Sequence, residues 1–350
     1  MVSLFNMSFA GNVWWTRERG HGSETSIGPP DQGGRCRKRL RRSHGRLALM
    51  QVKVSTGVAA AMCGMWGNVA GTGEMIMYRT ILVCLKDPRH AAGLTKMGLA
   101  LAARQGAHLV GLHVAPDPFV GMPTEVSVDY IERAQKQIEA DAGAIEATFR
   151  DLAGTADVAT EWRLELSRGD SYESAVTRHA LCADLAITGQ PDGAGWQGGN
   201  LLTDILLDTG RPVLFVPYAG SFEDAGNRAL IAWNGGREAA RAAFDAVPFL
   251  QQAQAVRVLT IGAPSGASAG LAPADDLTLA LARHGVPAEA ARTSSGDLSA
   301  GDTLLNAVSD YGADLLVMGC YGHSRFRQLL LGGVTRHILE TMTVPVLMSR

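Results

Sequence analysis

Apolar and polar positions run through the same pattern twice along this chain. Tyr78–Leu85 and Asn227–Asn234 are short apolar runs, each followed by polar turn residues and a stretch of helical period. The first such stretch, Ala91–Gln105, puts Leu94, Met97, Leu101 and Ala102 on one face and stops at Gly106. Its counterpart, Arg237–Leu250, places Ala240, Phe244, Val247 and Leu250 alike, and second strands are predicted at His108–Val114 and Ala255–Ile261. The segments also close alike. Asp184–Gly189 matches Asp314–Gly319, and each leads through a glycine-bearing loop and a helix to Arg211–Val216 or Val344–Met348. Apolar strands alternating with helices predict βαβ units, right-handed crossovers and a parallel sheet covered on both faces. The fold class expected is α/β, with two tandem doubly wound five-stranded parallel-sheet domains at 78–218 and 226–350, joined by a linker at Ala219–Gly226. A long amphipathic helix over Thr124–Leu152 (Ile131, Ala134, Ile138, Ala142, Ile145, Phe149) reads as core packing, with a shorter counterpart at Asp275–His284.

Residues 1–76 lack a sustained period and contain the basic run Arg35–Arg42, so a disordered basic leader, or sequence upstream of a true start at Met75 or Met77, is expected there. They hold ten Lys/Arg against four Asp/Glu, about +6, which leaves about −8 for the rest of a chain whose formal charge is −2. A body of that sign repels phosphate backbones, so nucleic acid is not an expected partner. At 46% hydrophobic and 19% charged, with no uninterrupted apolar run of spanning length (Val54–Thr72 comes nearest), the chain is expected to be soluble and free of the membrane. Five scattered cysteines without a C-x-x-C pattern argue against a disulfide framework or zinc and for a reducing, cytoplasmic setting.

The candidate chemistry lies after the second Asp-Leu strand. Gly319-Cys320-Tyr321-Gly322 ends that strand, and Gly332-Gly333-Val334-Thr335 opens a helix. Glycines at the carboxyl end of a parallel sheet let backbone N–H groups approach phosphate oxygens, and the helix start adds unsatisfied N–H groups and a positive dipole end. Asp314, Tyr321, Arg325 and Arg327 are the charged and phenolic groups nearest in sequence.

The pattern of Gly319, Gly322, Gly332, Gly333 and Val334, with Asp314–Gly319 before it and Val344–Arg350 after it, resembles the nucleotide loop of the universal stress protein family. The likeness covers both repeats and implies a five-stranded sheet resembling the adenine nucleotide alpha hydrolase fold, with ATP, or ADP or AMP, on this loop. It also implies pairing of domains through their last strands, here within one chain between Pro212–Pro217 and Pro345–Ser349, with a homodimer as a further form. On this resemblance Gly319, Gly322, Gly332, Gly333 and Val334 hold phosphates and ribose, Asn234 contacts the nucleoside, and Leu259 and Thr260 flank the adenine; Met318 and His323 complete the set. Asn234 stands where the family usually has Asp, and Gly333 where Ser or Thr is usual, which removes a hydroxyl from the phosphate site and weakens the case for a tightly held divalent metal.

The first repeat has a loop three residues shorter. It keeps Gly189 and Gly199, has Asp192 where the second glycine is due and has Lys86 in place of the acid after the first strand, so no nucleotide site of the family's kind is expected there. His323 reads as a phosphate contact or a polar loop residue, Cys320 as a redox thiol or a small buried loop residue, and Trp233 as core filler or a base-stacking ring. Cys84 and His113 read as structural, and Asp170 as a helix N-cap, with Gly301-Asp302 marking the same place in the second repeat. The function expected is a stress-response nucleotide-binding module without catalytic residues, turning ATP over no faster than ~0.01 s⁻¹. The alternatives are a slow ATP hydrolase or ATP-dependent enzyme of the same class, and a nucleotide-free scaffold. Neither a G-x-x-x-x-G-K-[ST] loop nor an S-G-G-x-D-S loop is present.

Overall fold

The computed structural model describes residues 77–117, 127–167, 171–191, 201–262, 273–320 and 333–350, and five short strands before residue 52. Two compact units result, Met1–Gly73 and Glu74–Arg350. In the first, where the sequence predicts no element, β1 (Asn6–Ala10), β2 (Val13–Arg17), β3 (Glu24–Ile27), β4 (Arg37–Arg41) and β5 (Leu49–Gln51) pair in sequence order as an antiparallel meander. Short runs of aromatic and β-branched residues, Val13-Trp14-Trp15-Thr16 above all, suit a pleated ribbon.

The second unit carries ten strands: β6 (Thr80–Cys84), β7 (His108–Ala115), β8 (Thr160–Leu166), β9 (Leu185–Gly189), β10 (Val213–Val216), β11 (Arg228–Ala232), β12 (Ala255–Ile261), β13 (Ala288–Thr293), β14 (Leu315–Gly319) and β15 (Val346–Ser349). They form one sheet in the order β13-β12-β11-β14-β15-β10-β9-β6-β7-β8. Each half is a doubly wound five-stranded parallel sheet, with its first strand in the middle and the order reversing between its first and fourth strands. The halves meet where β10 runs antiparallel to β15, with Val213 opposite Met348 and Phe215 opposite Val346.

The helices are α1 (Pro88–Gln105), α2 (Val128–Ala153), α3 (Tyr172–Ala180), α4 (Leu201–Asp208), α5 (Arg237–Asp245), α6 (Val247–Leu250), α7 (Ala274–Arg283), α8 (Ala300–Tyr311) and α9 (Gly333–Thr341). Each face of the sheet bears an apolar cluster that continues across both halves. Between the halves, Gln105 donates to the Pro248 carbonyl at 2.9 Å, and Tyr78 donates to the Asp245 carbonyl and packs edge-on against Phe249. The linker is docked as well: Arg104 of α1 holds Asp224 at 2.8 Å and the Ala225 carbonyl at 2.9 Å.

Local chemistry explains most boundaries. The Asp87 side chain accepts from the N–H groups of Arg89 and His90 to start α1, and Gly106, at φ 61°, ends it. The single helix predicted over Arg237–Leu250 is two, because Pro248 falls where a continuing helix needs a backbone donor and instead begins a new turn. Ser171 caps α3, not Asp170, which lies outside the described residues. Ser299 caps α8 by accepting from Asp302 N, while the Asp302 carboxylate sits at the third helical position. In α2 only Ala142, Ile145 and Phe149 are buried, so the core role predicted for the whole helix holds for its second half.

A candidate nucleotide crevice in the second half

In register, Ala232 at the end of β11 lies beside Met318 on β14, so the residues that follow the two strands emerge side by side where the strand order reverses. Asn234 follows β11, Thr260 lies near the end of β12, Gly319 ends β14, and Gly333 and Val334 begin α9. Asn234 is exposed, and its side-chain oxygen accepts from Gly236 N at 2.9 Å, shaping the turn into α5. Leu259 and Met318 are buried in the same apolar cluster, which leaves Thr260 as the half-exposed member of that pair of strand ends. Gly333 is exposed, an added Cβ there meets nothing within 4 Å, and Val334 is 36% exposed. Tyr321, Gly322, His323, Arg325, Arg327 and Gly332 lie outside the described residues.

Gly319 is bare for a reason that the motif does not reveal. A Cβ there would lie 2.4 Å from Glu238 C and Ala239 N and 2.7 Å from Glu238 O, so the first turn of α5 occupies the space a side chain needs. That turn brings in Glu238, which sequence reasoning missed; its one signal is an acid in the first turn after Gly235-Gly236. Glu238 is only 6% exposed. Burial pushes its carboxyl up, but Arg237, bonded at 2.6 Å, and the charge of Arg350 outweigh burial and hold it below the ordinary range.

Asp314 does not lie at this end of the sheet. It precedes β14, and its carboxylate accepts from the N–H groups of Gly226, Asn227 and Arg228 at 2.9–3.1 Å, roughly 16 Å of strand away from Gly319. Asp184 does the same for Arg79 and Thr80 in the first half, so the shared Asp-Leu motif is a strand clamp. Cys320 is fully buried, its thiol directed at the Ser349 carbonyl, and burial raises its pKa to about 12; this answers the redox reading, since the thiolate is the reactive form. Burial raises Cys84 to about 12 as well. Trp233 lies in the core cluster, and His113 contacts the Leu85 carbonyl at 2.7 Å through Nδ1. Among the described residues no group of three or more His, Cys, Asp or Glu could hold a metal, and no helix is long and apolar enough to cross a membrane.

The corresponding end of the first half holds a crevice of about 370 Å³, lined among others by Lys86, Asp87, Arg89, His90, Tyr172 and Gln190. The Lys86 ammonium stands 5.6 Å from the centre of the Tyr172 ring. Asp87 is committed to its helix cap and to His90 at 3.0 Å, and Gln190 to the Leu339 and Glu340 carbonyls of the other half. From the sequence, Lys86 alone signals an anion here; the rest of the lining comes from strand ends and helices far apart in the chain.

Solved structures match this architecture. A universal stress protein from Archaeoglobus fulgidus DSM 4304 is similar over 77% of this chain and 96% of its own, at 14% identity and a TM-score of 0.58. A putative universal stress protein from Pseudomonas aeruginosa UCBPP-PA14 is similar over 78% and 93%, at 14% identity and 0.52. No curated protein matches the chain. The sequence pattern of the Universal stress protein family matches residues 77–181 and 227–350, one segment in each half. With two matched segments that together span well over half its length, and a fold shared with solved members, the chain belongs to the universal stress protein family.

Proposed function

We propose that the second half binds an adenine nucleotide, ATP or its di- or monophosphate, in the crevice bounded by Asn234, Thr260, Gly319 and Gly333, and that the protein is a stress-response binding module. One observation carries the reading. Gly333 at the start of α9 is exposed and an added Cβ there meets nothing within 4 Å, and the N–H groups and dipole of a helix start favour phosphate. Asn234 and Thr260 supply hydrogen-bonding groups for ribose and base on the neighbouring strand ends. The β10–β15 ladder and the shared apolar clusters would make the two halves a built-in pair, so that a ligand in one half can bias the other.

The cationic lining of the first-half crevice favours a second reading, an anion held by Lys86 and Arg89. Titration calorimetry with ATP, ADP and AMP on the unmodified protein and on Lys86→Ala and Gly322→Val separates the two. Under the main reading Gly322→Val, whose branched side chain obstructs the phosphate approach, loses ATP while Lys86→Ala keeps it. The reverse pattern moves the site to the first half, and no binding to any of the three nucleotides overturns the main reading.

A further inference from the structure

The ten-stranded sheet ends in two unlike edges. In β8, Ala159 O accepts from Leu109 N and Ser167 N donates to Ala115 O, so the odd-numbered backbone groups of this strand face β7. The N–H and C=O groups of Trp162, Leu164 and Leu166 therefore point outward, with no further strand beyond them among the described residues. Leu164 and Leu166 are 50% and 56% exposed, and the strand has neither proline nor lysine to blunt it. At the other edge Gly262 N donates to Thr293 O, so β13 turns Ala288, Ala290 and Arg292 outward, small residues and a charge.

We propose that β8 is a docking edge for a second copy of this chain, the two β8 strands pairing antiparallel about a two-fold axis through Leu164. In that register Leu164 faces its own mate and Trp162 faces Leu166 in both directions, and each of these pairs exchanges two backbone hydrogen bonds. The three apolar side chains fall on the face where Trp162 already packs on Phe149, at 5.3 Å between rings. On the opposite face Arg163, which bonds Glu161 of its own strand, stands across from Glu165 of the other copy, which bonds Arg178 and His179 of its own chain, so the pairing extends existing ion pairs and sets no like charges against one another. A slip of one residue per strand sets Arg163 against Arg163 and Glu161 against Glu165. A register centred on Trp162 satisfies the charges but leaves Leu166 uncovered. Chemistry on both faces thus selects one register, and the result is a sheet of two tandem chains joined at β8, distinct from the β10–β15 ladder within each chain.

Sedimentation velocity on the full-length protein tests this. We expect a mass twice that of the chain, and Leu164→Glu, which places two carboxylates opposite one another, to raise the dimer dissociation constant at least about a hundredfold with unchanged circular dichroism. Register is read by cysteine trapping in a chain whose Cys36, Cys63 and Cys182 are replaced by serine. Leu164→Cys forms a disulfide across the axis, since its Cα atoms lie about 5.5 Å apart, and Arg163→Cys does not. A protein that is monomeric at all concentrations overturns the proposal, as does a dimer untouched by Leu164→Glu or trapped equally well at position 163.

Discussion

Replacing Gly333 with aspartate separates binding from folding at one position. Gly333 opens α9, the first turn of that helix holds no acid, and an added Cβ meets nothing within 4 Å. A carboxylate there interacts favourably with the helix dipole, by about 0.3–1 kcal/mol, so the unliganded variant is expected to melt at or slightly above the temperature of the parent protein. A bound phosphate experiences the opposite. Two unit charges about 5 Å apart repel by about 1 kcal/mol in water and about 3 kcal/mol at an effective dielectric constant near 20. Each phosphate charge at that range therefore costs between several-fold and about a hundredfold in affinity, and a triphosphate brings more than one. The expected outcome is at least a tenfold weaker ATP dissociation constant by calorimetry. Adenosine should be affected far less, and the ATP penalty should shrink as salt is added. An ATP affinity unchanged by Gly333→Asp, in protein with intact thermal unfolding, would refute the placement of phosphate at this helix.

Other consequences concern the frame around the crevice. Gly319→Ala forces a Cβ against backbone atoms of Glu238 and Ala239, and a loss of about 1–3 kcal/mol in denaturant unfolding is expected; parent-like stability would show that α5 stands off this strand. Asp314→Ala removes the acceptor of three backbone N–H groups and should cost about 2 kcal/mol, with a smaller loss for Asp184→Ala, which frees two; equal stability in both variants contradicts the clamp. Glu238 has its folded-state pKa below its unfolded value, so its contribution is present above the ordinary glutamate range and is lost as pH falls through the lowered folded value. Glu238→Gln should flatten that part of the acid limb in a pH series of melting temperatures, and an unaltered limb places the cause elsewhere.

The central strands were legible because apolar runs of strand length mark them. Ala255–Ile261 is the predicted and the observed span of β12, and the Asp-Leu strands fall where the repeat puts them. The outer strands β8 and β13 were not, because an edge strand is half polar: Thr160–Leu166 alternates charges with apolar residues and, among the described residues, has a neighbouring strand on one side only. The caps misled for a related reason. Ser171 and Asp170, or Ser299 and Asp302, are all good capping residues, and only the backbone geometry selects the serine. At the candidate site the sequence identified the glycines but not what each is for. Gly319 answers to the backbone of a neighbouring helix and Gly333 to open space, a difference that depends on residues eighty positions or more away. The first-half crevice and the burial of Glu238 arise from assembly, and the only local signs of them are Lys86 for the one and an acid in the first turn after Gly235-Gly236 for the other.

A crystal structure of the full chain grown with ATP addresses the central claim most directly. The result expected places the ribose and base between Asn234 and Thr260 and the phosphates against the amide of Gly333. Nucleotide found instead between Lys86 and Tyr172 in the first half, or crystals that hold none at saturating ATP, would contradict it.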